Sequence, residues 1–286
     1  MQRGESAWNS VANLVRLGES LLRENNNARL DSELLLAHVL ACDRAAVYRD
    51  ADKKVSPGRE KTFCDLVSVR SSGRPIAQIL GIQEFWSLPF VVDENVLIPR
   101  PETELLVDIA LAHLRSVDRP IVADLGTGSG AIAVAISHER PDATILAVDR
   151  SIQALSIAKR NCAQHARAPI YLARGNWLAG LRDHQFDLII ANPPYIASGD
   201  PLVDTTSIRF EPKEALVSGP DGLDALRVVV AGAAHTLKSG GTLAVEHGYN
   251  QAMQVRMQFQ QHGFCDIVTE RDLAGHERAT SGRIAG

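Results

Sequence analysis

The sequence has no C-x-x-C pair and no cluster of histidines; its four cysteines, Cys42, Cys64, Cys162 and Cys265, lie far apart. That spacing suggests neither a zinc knuckle nor a disulfide framework, so no metal is expected and the thiols read as buried or idle in a reducing compartment. An excess of positive charge is also missing. Thirty Lys and Arg stand against 34 Asp and Glu, for a formal net charge of -4, and no segment is both basic and aromatic-rich. A protein whose main partner is bulk nucleic acid needs a basic surface to release counterions, and this composition argues against one. No run approaches the ~18 uncharged apolar residues of a membrane span, and no apolar segment follows the opening Met-Gln-Arg-Gly-Glu. A cytoplasmic protein with no membrane attachment is therefore expected. Internal repeats and low-complexity tracts are absent as well.

What is present is core. With 286 residues, 45% of them hydrophobic and 22% charged, the chain can bury one large domain with a smaller companion. Residues 1–74 read as a helical N-terminal domain, because Val11, Leu14 and Val15, then Leu34, Leu35, Val39 and Leu40, then Phe63, Leu66 and Val67 recur at helical steps. Ser56-Pro57 marks a helix start. Arg16, Glu19 and Arg23 there read as a solvated face, so no chemistry is assigned to this domain and substrate docking is the role left to it.

Residues 75–99, with apolar runs at 76–82, 85–86 and 90–92 broken at Gly81 and Pro89, read as a β-hairpin linker. Pro99-Arg100-Pro101 then stiffens the backbone before a helix carrying Leu105, Leu106, Ile109 and Ala112. Beyond residue 119, apolar runs at 121–125, 144–148, 170–173, 186–191 and 242–246 alternate with helix-length segments. Such alternation indicates an α/β domain over residues 100–286, with a mostly parallel, doubly wound sheet and helices on both faces. Runs at 265–269 and 279–284 suggest a last hairpin that puts an antiparallel strand at one edge.

Two motifs carry chemistry. The first is Asp124-Leu125-Gly126-Thr127-Gly128-Ser129-Gly130, between a strand and the helix-forming run that opens at Ala131. Glycines there let the chain turn sharply and let a ligand lie against bare main chain. Asp149 closes the second strand, 23 residues after Gly126, the spacing at which an acid reaches the ribose hydroxyls of an adenosine. A dinucleotide loop usually runs G-x-G-x-x-G. Here the glycines alternate strictly, which resembles the first motif of S-adenosylmethionine-dependent methyltransferases.

The second motif, Asn192-Pro193-Pro194-Tyr195, follows the fourth strand directly and should face the glycine loop across the crevice at the carboxyl ends of the strands. Its prolines fix the backbone, so the Pro193 carbonyl is held in one direction. Methyl transfer to a planar NH₂ group needs this arrangement. The nitrogen lone pair is delocalised, and two acceptors, the Asn192 side-chain oxygen and the Pro193 carbonyl, can take the two N–H bonds and aim that lone pair at the methyl. The Tyr195 ring can hold the group flat. Such a site suits glutamine amides, adenine N6 or guanine N2.

The whole chain resembles the bacterial release factor glutamine methyltransferases, the PrmC/HemK family. The likeness rests on Gly81-Ile82-Gln83-Glu84-Phe85-Trp86-Ser87-Leu88-Pro89, Leu97-Ile98-Pro99-Arg100-Pro101-Glu102-Thr103-Glu104, the glycine loop, Asn192-Pro193-Pro194-Tyr195, Arg209-Phe210-Glu211-Pro212 and Glu246-His247-Gly248, in family order. It implies a Rossmann-like class I methyltransferase fold and methylation of the glutamine of the Gly-Gly-Gln motif in class I peptide-chain release factors. By the same resemblance Gly126, Thr127, Gly128, Ser129 and Gly130 line the methionine and ribose, Asp149 binds the ribose hydroxyls, Trp177 packs by the adenine, Asn192 borders the cofactor as well as the substrate, and Asn192, Pro193, Pro194 and Tyr195 hold the glutamine. One departure is Asn176, where the family usually has Asp. Arg100 shapes either the pocket mouth or the linker, residues 209–212 form either a lid or a turn, and Phe85 and Trp86 read as hairpin core, with a place near the substrate as the alternative. The rival functions are a nucleic-acid amino-methyltransferase, disfavoured by charge, and a nicotinamide-dependent oxidoreductase, which has no use for Asn-Pro-Pro-Tyr. A non-catalytic cofactor-binding adapter comes last.

Overall fold

A computed structural model describes residues 9–204 and 207–285. The chain divides between Gly81 and Ile82 into two compact units. The smaller is helical: α1 (Val11–Leu21), α2 (Ala28–Leu40), α3 (Arg44–Arg49), α4 (Pro57–Ser71) and α5 (Ile76–Leu80). Ser10 and Asp43 cap α1 and α3 by accepting from the Asn13 and Ala46 backbone N–H, and Pro57 opens α4. Leu14, Leu35, Leu36 and Phe63 fill the core. A Cβ on Gly18 would lie 2.3 Å from Ser32 Oγ, so α1 and α2 meet in close contact at that point. The buried face of α2 is not purely apolar: Asp31 pairs with Arg70 at 2.7 Å, and Glu33 accepts from Arg29 at 2.9 Å and from the Tyr48 hydroxyl at 2.5 Å.

Residues 76–80, expected to be extended, are helical. Ile76, Ile79 and Leu80 pack on the helical core at one-turn spacing, Pro75 supplies a compatible start, and Gly81 ends the turn with φ 73°. The hairpin is accordingly shorter, β1 (Ile82–Phe85) and β2 (Leu88–Val91), and it belongs to the larger unit. There Asn161 exchanges hydrogen bonds with the Val91 N–H and C=O at 2.8 and 3.0 Å. The hairpin is therefore part of the sheet domain and not a free linker.

The larger unit continues with α6 (Glu104–Leu114), β3 (Ile121–Leu125), α7 (Ala131–Glu139), β4 (Thr144–Asp149), α8 (Ile152–His165), β5 (Ile170–Arg174) and β6 (Phe186–Ala191). It ends with α9 (Asp224–Thr236), β7 (Leu237–Glu246), α10 (Ala252–Gln261), β8 (Phe264–Arg271) and β9 (Glu277–Ile284). The sheet order is β5-β4-β3-β6-β7-β9-β8. The five strands from β5 to β7 are parallel, and β9 pairs antiparallel with both β7 and β8, so the tail hairpin gives that edge its antiparallel character. Leu106, Val107 and Ala110 of α6 pack with Val134 and Ile136 of α7 in one core cluster; Leu226, Val229 and Val230 of α9 pack with Phe259 of α10 in a second. Strand order reverses at β3 and β6, which opens a crevice at their carboxyl ends. The parallel register pairs Leu125 with Val148 and Ala191, and Ala191 with Val245. Gly126, Asp149, Asn192 and Glu246 thus come to one rim of the sheet. Among the described residues, no helix is long and apolar enough to cross a membrane, and no group of three or more His, Cys, Asp or Glu is placed to hold a metal. Cys42 and Cys265, read as buried or idle, are exposed; all four cysteines are unbridged.

Candidate active site

At that rim lies a cavity of about 950 Å³, lined among others by Gly126, Thr127, Gly128, Ser129, Asp149, Trp177, Asn192 and Pro194. The glycine loop is built from the sheet outward. The Gly126 and Thr127 N–H groups both donate to the Val148 carbonyl, at 2.8 and 3.0 Å, and Gly126 and Gly128 sit at φ 71° and 56°, where a side chain strains the backbone. Beneath the loop, Asp124 Oδ2 accepts from Thr127 Oγ1 at 2.6 Å and from the Ala133 N–H at 3.2 Å, while Oδ1 is buried without a partner. Burial pushes the Asp124 carboxyl up to about 7.

Gly130 is the one loop residue that does not line the cavity. It caps α7 at φ 81°, and a Cβ there would meet Ala158 of α8 at 3.3 Å, so it lets α7 and α8 approach closely. Asp149 faces the loop: Oδ2 accepts from the Gly128 N–H at 2.9 Å and Oδ1 from the Ser151 N–H at 2.8 Å. Trp177, itself at φ 53°, lies over Gly126, with ring atom Cζ3 3.1 Å from where a Cβ would stand. Asn176 lines the same wall.

The Asn-Pro-Pro-Tyr segment divides. Asn192 and Pro194 face the main cavity, and Pro193 is buried off its lining. Tyr195 lines a second cavity of about 560 Å³ together with Gln251 and Arg278. The reason is in its bonds. Its hydroxyl donates to Glu246 Oε1 at 3.2 Å and its carbonyl accepts from Gln251 Nε2 at 2.9 Å, so the ring is tied away from the glycine loop. Burial, with the neighbouring Glu246 charge, raises the Tyr195 phenol well above its ordinary range, and it stays protonated.

Sequence reasoning assigned no role to Thr103 or Glu246. Asn192 Nδ2 donates to Thr103 Oγ1 at 3.1 Å, and Thr103 Oγ1 donates to Glu246 Oε2 at 2.7 Å. Both Thr103 and Glu246 are buried. Glu211 is buried too; it pairs with Arg100 and accepts from the Ile98 N–H at 2.9 Å, which straps residues 209–212 to Pro99-Arg100-Pro101. Arg100 also lines the cavity, so it serves linker and mouth together. Phe85 is core, edge-on to Phe90 at 6.0 Å, and the Trp86 indole N–H donates to Glu139; neither lines the cavity.

The family model described as "Methyltransferase small domain" matches residues 102–271, and that described as "PrmC N-terminal domain" matches residues 13–81. A protein of Xylella fastidiosa (strain Temecula1), named release factor glutamine methyltransferase, is 46% identical over 90% of this chain and 94% of its own length. Proteins of the same name from Burkholderia pseudomallei and Escherichia coli K12 are 43% and 40% identical, covering 93% and 94% of this chain and 95% and 97% of theirs. The chain belongs to the release factor glutamine methyltransferase family. These relatives do not favour the nucleic-acid alternative. Two solved structures share the fold: the catalytic domain of hMettl16, at TM-score 0.56 and 14% identity over 77% of this chain and 82% of that one, and the ribosomal protein L11 methylase of Lactobacillus delbrueckii subsp. bulgaricus, at TM-score 0.50 and 21% identity over 68% and 84%. Family and fold together imply an S-adenosylmethionine-dependent class I release factor glutamine methyltransferase.

Proposed function

We propose that this chain transfers a methyl group from S-adenosylmethionine to the side-chain amide nitrogen of the glutamine in the Gly-Gly-Gln motif of class I peptide-chain release factors. The observation that carries the reading is the placement of Asn192 and Pro194 on the cavity that Gly126, Thr127, Gly128 and Asp149 also line. The cradle fits the cofactor. Side chains are absent where the loop backbone turns at positive φ, and each Asp149 oxygen, which takes one backbone N–H, keeps a lone-pair direction for a ribose hydroxyl.

When bound, S-adenosylmethionine supplies an electrophilic methyl on a cationic sulfonium. The protein's part is to hold. Gly126, Thr127, Gly128 and Ser129 leave room for the methionine and ribose, Asp149 takes the ribose hydroxyls, and the Trp177 ring packs beside the adenine. Asn192 Oδ1 accepts one N–H bond of the substrate amide, and the carbonyl of Pro193, whose ring is buried off the cavity between two residues that line it, accepts the other and so orients the nitrogen. Pro194 and the anchored Tyr195 fix the course of the backbone that carries those acceptors. No strong base is required, because the proton leaves after the methyl has arrived. A cytoplasmic location follows from a substrate that acts on the ribosome, no stable nucleic-acid complex is expected, and residues 1–81 are free to dock the release factor.

The test is incubation with methyl-labelled S-adenosylmethionine and purified release factor, followed by peptide mapping. Label is expected on the Gly-Gly-Gln glutamine and is lost when that residue is changed to Glu, which offers no N–H bonds to the two acceptors. Label on RNA or DNA, with none on the release factor, overturns the substrate.

A further inference from the structure

We propose that Thr103 and Glu246 are positioning residues that set which end of the Asn192 amide faces the reacting group. The proposal rests on the reading of Asn192 as an acceptor for the substrate amide, and it explains what makes Asn192 an acceptor at all. A carboxamide has a donor end and an acceptor end of nearly the same shape, so steric fit alone does not choose between them. Were Asn192 reversed, its NH₂ group would meet the substrate's NH₂ group, donor against donor.

The choice is made by a chain of hydrogen bonds that starts in the sheet. Glu246 ends β7 beside Asn192, because Ala191 and Val245 are paired in register. It is only 2% exposed, and its carboxylate accepts from two hydroxyls, Thr103 at Oε2 (2.7 Å) and Tyr195 at Oε1 (3.2 Å). Threonine has one hydroxyl hydrogen. With that hydrogen committed to Glu246, Thr103 Oγ1 can only accept from its other neighbour. It therefore selects Nδ2 of Asn192, at 3.1 Å, and Oδ1 is left as the end available to a ligand. The reversed amide would demand the same hydrogen and strip Glu246 Oε2 of its donor, leaving a buried carboxyl oxygen unsatisfied while only Oε1 keeps its bond from Tyr195. Because the other carboxylate oxygen takes Tyr195, a single buried side chain orders both ends of Asn192-Pro193-Pro194-Tyr195.

The test uses the full-length enzyme with intact release factor. Thr103→Val keeps the shape and removes the hydroxyl; Thr103→Ser restores it. Thr103→Val is expected to lower kcat at saturating cofactor by about 10- to 100-fold, with the Kd for S-adenosylmethionine within about 2-fold of wild type, whereas Thr103→Ser stays within about 3-fold in kcat. In the Asn192→Ala background, adding Thr103→Val should cost nothing further, since the relay acts through the side chain already removed. A second readout needs no turnover. The Asn192 side-chain NH₂ pair in a ¹H–¹⁵N spectrum, identified by its absence in Asn192→Ala, should move toward free-amide positions in Thr103→Val and not in Thr103→Ser. If the wild-type enzyme leaves the release factor glutamine unlabelled, the functional reading has failed and the amide spectrum alone decides the relay. A Thr103→Val enzyme that is folded, turns over at the wild-type rate and keeps the wild-type NH₂ signals overturns it, as does an equal loss in Thr103→Ser.

Discussion

Asp149 and Asn192 stand on the same rim and are expected to fail in different ways. Asp149 already holds the Gly128 and Ser151 N–H groups, so Asp149→Ala removes a loop anchor as well as the proposed ribose acceptor. Cofactor binding should weaken by roughly 1.5–3 kcal/mol, with a lowered Tm, while kcat at saturating cofactor changes little. Asn192→Ala should change the cofactor Kd far less than Asp149→Ala does and lower kcat at saturating cofactor by about 100-fold, because it loosens the reacting nitrogen. Calorimetry and steady-state kinetics on the two variants separate the roles, and the reverse pattern would exchange them. Asp124 makes a different prediction. Its folded carboxyl is raised by burial to about 7, so between the ordinary aspartate range and that value the folded protein holds a proton that the unfolded chain has released. Stability from this group is present at low pH and is lost as pH rises toward 7, with a slope of at most about 1.4 kcal/mol per pH unit. Asp124→Asn, which mimics the protonated acid, should flatten that slope in denaturant titrations from pH 4 to 7; an unchanged slope means that the group does not titrate there. The places of Asp149 and Asn192 were legible from sequence because Asp149 closes one apolar strand at a set distance from the glycine loop and Asn192 opens the tetrapeptide directly after another. Thr103 and Glu246 were not, since they lie 143 positions apart: the sheet register brings Glu246 beside Asn192, and Thr103, in the turn that opens α6, meets both only in the folded chain.

Among the elements, the loop from β3 to α7 works as a unit with Trp177. An alanine at position 126 would hold φ near 71°, at a cost of about 1–2 kcal/mol, and its Cβ would press on the indole at 3.1 Å. Gly126→Ala is thus expected both to lower the Tm and to push Trp177 off the cavity wall, weakening cofactor affinity; wild-type affinity in calorimetry would show that the indole yields freely. The strands β3, β4 and β6 were readable because each is a short, mostly buried apolar run with a helix following it, whereas β5 is half-exposed and is followed directly by β6, with no helix in the segment between them. The hairpin was harder. Its two-residue turn is Trp86-Ser87, at φ 52° and 57°, with none of the Asn or Gly that normally announces such a turn. The Trp86 N–H bonds to Glu104 at 2.7 Å and its indole N–H to Glu139 at 2.9 Å, so long-range partners hold a conformation that local propensity disfavours. In the same way β7 begins at Leu237, before the run at 242–246. Leu237 pairs with Phe186 across a register shift, where Ser239-Gly240-Gly241 looks like a turn when only neighbours in sequence are read.

For the molecule as a whole, the chain divides between Gly81 and Ile82 into a helical unit and a sheet unit. Every residue given a cofactor or amide contact lies after residue 81, in the larger unit. The smaller unit closes its own core on Leu14, Leu35, Leu36 and Phe63. A short Gly-Gly-Gln peptide can present the glutamine but little surface. A folded release factor can bury an interface of roughly 1,200–2,000 Å², enough for a second unit to take part. A truncated chain beginning at Ile82, once thermal unfolding and cofactor calorimetry show it folded, should bind S-adenosylmethionine nearly as tightly as the full chain. Its slow activity on the peptide should match that of the full chain, while kcat/KM for intact release factor should fall by about 10-fold or more, as expected when docking surface is lost and the reacting site is kept. Equal kcat/KM on intact release factor for the two chains would remove the docking role and leave residues 1–81 as a stabilising cap, whereas a parallel loss on peptide and protein would place part of the reacting site in the helical unit.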